Sequence, residues 1–111
     1  MMDRMERYRK AADVLLAIEA EMRRQGLWAS TPPSTKALSS TMPFMYDTLQ
    51  LQEWLQFVFL PRTQGVIEAG GVLPNNCHIH PLAEHEFAKL EIDHGSLLEL
   101  IRQMDNVLNL P

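Results

Sequence analysis

Asp47-Thr-Leu-Gln-Leu-Gln-Glu-Trp-Leu-Gln-Phe-Val-Phe-Leu60, closed by Pro61-Arg62, is the stretch that decides the fold. It holds Trp54, Phe57, Val58, Phe59 and four leucines, and only Asp47 and Glu53 carry charge. A helix apolar on nearly every side belongs inside a domain. Leu51, Trp54, Leu55 and Val58 fall on one stripe, with Phe57 and Phe59 off it and Gln50, Gln52, Glu53 and Gln56 as the polar remainder. Asp47 is the expected cap, with Gln50 reaching back from N3 and Tyr46 and Leu51 placed as a hydrophobic staple. Pro61 has no N–H and disfavours α geometry before it, so the helix is expected to end or kink there.

Working outward, residues 3–25 read as an amphipathic helix. Met5, Tyr8, Ala12, Leu15, Ile18 and Met22 recur at steps of three and four. Asp3–Arg7, Glu6–Lys10 and Glu19–Arg23 stand acid before base at i,i+4, and Gly26 is the expected stop. Residues 29–46, rich in Ser, Thr and Pro, have no period and read as loop. The preferred reading is a strap pinned by Leu38, Met42 and Phe44; the alternative is a lid or partner-docking segment. Beyond Pro61 a short helix to Ala69, with Val66 and Ile67 inward, is expected to stop at Gly70-Gly71. A brief helix over 82–90 uses Leu82, Phe87 and Leu90. A last one over 97–108 uses Leu97, Leu100, Ile101, Met104, Val107 and Leu108, with Asp93 or Ser96 as cap.

The whole chain of 111 residues is expected to be one helical domain. With 46% hydrophobic and 22% charged residues, the composition is that of a soluble globular protein. No apolar run approaches the roughly 20 residues that span a bilayer, so no membrane partner is expected. The charged N-terminus has no apolar segment behind it, and a lone cysteine, Cys77, fits a reducing compartment; cytoplasm is the expectation. Residues 1–36 carry a balance of +2 and residues 37–111 one of −6. A basic first helix on an acidic remainder is the bland reading; a face of Arg4, Arg7, Arg9 and Lys10 for an acidic partner is the sharper one. The bias is too weak for a general nucleic-acid binder.

Three pieces stand in a distinctive order. They are Met42-Pro43-Phe44 with Asp47-Thr48-Leu49, then Trp54 to Arg62, then Leu73-Pro74 leading to Cys77-His78-Ile79 and Pro81-Leu82-Ala83-Glu84. In these the chain resembles the YqcC-like family of small bacterial proteins, and the resemblance covers nearly its whole length. It implies a compact all-helical bundle and no established activity. Members of the family are encoded beside a tRNA pseudouridine synthase, which implies an association but no mechanism and, in the small-ligand alternative below, a link to tRNA modification. His78 and His80 depart from the family pattern, which argues against a family-wide metal role there.

Chemistry-bearing patterns are sparse. Cys77, His78, His80 and His85, with Glu84 and Glu86, are zinc-ligand types, but their spacing matches no standard ligand pair. Solvated histidines and a small packed cysteine are the preferred reading, and neither a metal nor another cofactor is expected. A Cys77–His nucleophilic pair would need an orienting geometry that near-adjacent residues rarely reach. Phosphate loops and nucleophile elbows are absent.

The fold expected is all-α, a compact bundle of about four to five helices around a buried central helix. No catalytic residue is assigned. The leading function is a non-enzymatic binding or adaptor protein for another protein, with Trp28, Leu38, Phe44 and Trp54 as the candidate patch. A small-ligand pocket between the loop and the central helix is the alternative, and a metal-dependent enzyme ranks last. A chain this short has difficulty covering its apolar faces, which also admits self-association.

Overall fold

The computed structural model describes residues 3–110, all of them helix, turn or loop. Asp3 stays extended, and its carboxylate accepts the Glu6 N–H at 2.8 Å, capping α1 (Arg4–Arg24). At the other end Gly26 adopts a φ of +74°, so Leu27 N–H reaches Met22 O at 2.8 Å and Gly26 N–H reaches Arg23 O at 3.2 Å. That pair of bonds closes the helix. Ala11, Val14, Leu15, Ile18 and Met22 are buried. The inward face thus matches the expected stripe from Leu15 onward but departs before it, where Met5 is 67% exposed.

The central helix differs from expectation at both ends. It starts at Leu51, where the Gln50 N–H donates to the Glu53 carboxylate at 2.8 Å. Asp47 instead accepts the Ser40 hydroxyl at 2.5 Å, and Tyr46 is too exposed to staple anything. Pro61 does not end the helix. α2 (Leu51–Trp54), a π-helical turn (Leu55–Phe59) and α3 (Leu60–Ala69) form one column whose backbone stays right-handed helical across both junctions.

The π-turn is the physical answer to Pro61. In a regular α-helix the proline ring would press on the Phe57 carbonyl, which would also lack its donor. Here the Leu60 N–H bonds five residues back, to the Leu55 carbonyl, and the widened turn makes room. One extra residue advances the inward stripe by about 100°. Leu51 and Leu55 are therefore followed inward by Phe59, Leu60 and Thr63, while Arg62 is exposed. Gln56, assigned to the polar strip from sequence, is buried; its side chain accepts from Ala29 N–H and donates to Ala29 O, both at 2.8 Å.

α4 (Ile79–Phe87) begins three residues before the expected start, with Pro81 inside its first turn where no donor is needed. α5 (Gly95–Leu108) buries Leu97, Ile101, Met104, Val107 and Leu108 and packs between α1 and α4. Neither Asp93 nor Ser96 caps it. The loop contains two 3₁₀ turns, Ala37–Ser39 and Pro43–Met45, tied together by the Thr48 hydroxyl donating to Ala37 O at 2.8 Å.

Several helix ends are closed by side chains from other helices. α3 stops at Gly70, φ +68°, with Gly71 N–H on Val66 O at 2.9 Å. Arg4 donates to Gly70 O at 2.6 Å, and the Tyr8 hydroxyl donates to Gly71 O. Arg7 donates to Val107 O and Leu108 O at 3.1 and 2.5 Å, satisfying the last carbonyls of α5. Two of the four cations of the expected basic face are thus spent inside the molecule. Of the three helical ion pairs expected on α1, Glu19–Arg23 forms at 3.0 Å, and the other two do not form among the described residues.

Candidate functional site

A cleft of about 390 Å³ opens between the loop, the central column and the segment before α4. Its first wall is aromatic. Phe44 meets Trp54 edge to face, ring centroids 4.9 Å apart, and Trp54 stacks on Phe59 at 5.3 Å. The turn that presents Phe44 holds Phe44 and Met45 at φ of +57° and +49°. Left-handed geometry costs about 1–2 kcal/mol per L-residue, whereas such aromatic pairs return about 0.5–1.5 kcal/mol each beyond area burial. Phe44 makes only the first of these pairs, so the strain of the two residues exceeds that pair's return, and the apolar area Phe44 buries against Trp54 has to contribute as well.

The opposite wall is the irregular backbone from Pro74 to His78 and the first residue of α4, Ile79, tethered by the end of α5. Asn109 accepts from Cys77 N–H and donates to Cys77 O, both at 2.7 Å. One turn earlier, the buried Asp105 carboxylate accepts Ile79 N–H at 3.1 Å and His80 N–H at 2.8 Å. A carboxylate at the first-turn amides of α4 suits the helix dipole as well as the orphan donors.

Val58, Phe59, Thr63 and Val66 line the cleft from the column. Arg62 is the one Asp, Glu, Lys or Arg in its lining, and it has no ion pair among the described residues. Across a ridge topped by the exposed Arg62, over the buried Val58, lies a shallower hollow of about 490 Å³, lined also by Leu38, Met45, Phe57 and Pro61. The volume and apolar lining of the first cleft suit either an anchor side chain or a small ligand.

The structure divides the four candidate residues. Phe44 and Trp54 meet in the cleft, and Leu38 lies over the ridge in the second hollow. Trp28 lies outside both linings, half-buried beneath the Arg23 guanidinium at 4.6 Å. Cys77 and His78 line the cleft, whereas His80 turns its backbone to Asp105 and His85 is exposed beside Glu86 at 3.8 Å. Among the described residues no three His, Cys, Asp or Glu side chains gather as a metal site. Burial, and then the Asp105 carboxylate, push the Cys77 thiol up, which favours the protonated and unreactive form. Arg62, Asp105 and Asn109 were not singled out from sequence as site residues. Only Arg62 left a signal there, as the lone cation closing an apolar helix.

A family model described as tRNA pseudouridine synthase C (DUF446) matches residues 10–107. The chain belongs to this YqcC-like family. It is 30% identical over 91 residues to uncharacterised protein YqcC of Escherichia coli, covering 82% of this chain and 84% of that one. The solution NMR structure of that YqcC has the same fold, with a TM-score of 0.80 at 26% identity over 92% of this chain and 87% of that one. An uncharacterised Haemophilus influenzae protein is 40% identical over 77 residues, 67% of this chain and 73% of that one. tRNA pseudouridine synthase C of Pectobacterium carotovorum is 38% identical over 72 residues, 65% of this chain but only 19% of that protein. No helix among the described residues of this YqcC-like chain is long and apolar enough to cross a membrane.

Proposed function

We propose that this YqcC-like chain is a non-enzymatic, cytoplasmic adaptor that docks on a tRNA pseudouridine synthase. One observation carries this reading: a stretch 38% identical to this chain forms part of the Pectobacterium carotovorum tRNA pseudouridine synthase C. Within a single polypeptide, a tethered module meets its neighbour at an effective concentration on the order of millimolar and needs little affinity of its own. Where such a module is not tethered to its neighbour, an interface has to supply that affinity instead. The Phe44–Trp54 cleft and the adjoining hollow supply apolar area, with aromatic anchors of the kind that dominate binding energy.

Titration calorimetry of the intact chain with a free-standing tRNA pseudouridine synthase from the same organism tests this. A saturable complex of roughly micromolar Kd or tighter is expected. Absence of binding at tens of micromolar, on the order of ten times that Kd, would contradict it.

A second reading, binding of a small apolar ligand, is favoured by the cleft's volume alone. Native mass spectrometry of the purified protein checks it, since a retained small molecule would add a defined mass.

A further inference from the structure

Arg62 occupies an unusual place on this surface. The protein carries a net charge of −4, and residues 37–111 hold only three Lys or Arg. The other two are engaged: Arg102 pairs with Glu99, and Lys89 with Glu86 at 2.7 Å. Arg62 stands exposed on the ridge between the cleft and the second hollow, with no acidic residue in either lining. Val58, one turn earlier on the column, is buried beneath Arg62 and shared by both linings.

Apolar surface therefore runs on both sides of a single cation. A small molecule of the cleft's size, about 390 Å³, would leave the adjoining hollow empty. A chain segment crossing the ridge fills both, with one apolar side chain on each side and an acidic group between them over the guanidinium. Such charge-assisted contacts are directional, and a planar guanidinium suits a carboxylate best.

We propose that the Phe44–Trp54 cleft and the Leu38 hollow together receive an acidic segment of the partner protein, two apolar side chains bracketing an Asp or Glu that pairs with Arg62. The proposal rests on the adaptor reading above and names the face and the chemistry of its contact.

The test uses the full chain and the intact free-standing synthase. Arg62→Glu reverses the cation at an exposed position. Val72→Asp places a charge at the cleft mouth, where Val72 is 88% exposed, so neither change threatens folding. Leu16→Asp, at a residue 67% exposed on α1 and outside both hollows, is the control. Weakening of Kd by tenfold or more for Arg62→Glu and Val72→Asp is expected, with Leu16→Asp within twofold of the parent. Iodoacetamide labelling of Cys77, the single cysteine and part of the cleft wall, is expected to slow when the synthase is bound.

A complex that forms with unchanged Kd for both variants and unchanged Cys77 labelling would overturn this docking face and leave the adaptor reading standing. No complex with the parent chain would overturn both. Sedimentation showing a dimer of the chain alone, dissolved by Arg62→Glu, would assign the face to a second copy and overturn the proposal.

Discussion

At the scale of single residues, the side chains that hold the site act across the sequence. Asp105 on α5 caps α4, and Gln56 on the π-turn ties down Ala29 after α1. Asp105→Ala would strand two amides of the α4 first turn, and a loss of about 2–3 kcal/mol is expected in urea unfolding, with Asp105→Asn losing about half. Gln56→Ala is expected to cost about 1–3 kcal/mol and to speed hydrogen exchange at the Ala29 amide. Cys77 gives a pH signature. Its raised thiol should be alkylated in the folded chain with a midpoint above that of the urea-unfolded chain, and Asp105→Asn should lower that midpoint by removing the nearby negative charge. The linkage runs the same way: stability is untouched below the ordinary thiol range and falls as pH rises through it toward the raised folded value. None of this was legible in the sequence, because a cap supplied by another helix leaves no local pattern. Asp105 stands there as one polar residue beside the apolar stripe, four after Ile101 and three before Leu108, with nothing to mark its partners.

At the scale of elements, two glycines of one helix respond oppositely to the same change. Gly65 lies within α3 with open space where a Cβ would stand, so Gly65→Ala should stabilise by up to about 1 kcal/mol. Gly70 has equally open space but a φ of +68°, so Gly70→Ala should cost about 1–2 kcal/mol. Thermal unfolding of the two variants checks both signs. The glycine stops were readable because the chemistry that ends a helix is local. The capping of the central helix was misplaced by three residues because Asp47 had a competing partner, Ser40, in the loop. The chemistry of Pro61 points to an end or a kink, yet burial of Leu55, Phe59 and Leu60 favours keeping the column whole through a widened turn. Each such side chain contributes roughly 1.5–3 kcal/mol, more than one relocated hydrogen bond. The widened turn has a consequence for the site: the stripe that would have carried Arg62 inward carries Thr63 instead.

At the scale of the whole molecule, the all-helical fold followed from periodicity, and the match to YqcC of Escherichia coli agrees with it. Of the four residues the sequence puts forward, two line the cleft, one lines the adjoining hollow and one lies apart. Phe44 and Trp54 meet as aromatic residues near a loop often do, whereas Trp28 went to a separate stack with Arg23. Which aromatics converge depends on the path of residues 29–46, whose irregular backbone has no period to read. The same separation provides two built-in reporters, since the chain has only two tryptophans. Trp54 lines the cleft and Trp28 does not. The most direct measurement is therefore a nitrogen–proton NMR spectrum of the labelled chain with unlabelled synthase added, following the two indole N–H signals. Docking at the cleft is expected to shift or broaden the Trp54 signal through local contact, while Trp28 changes only with overall tumbling. A complex in which Trp54 stays in place, or in which Trp28 alone shifts, would contradict it.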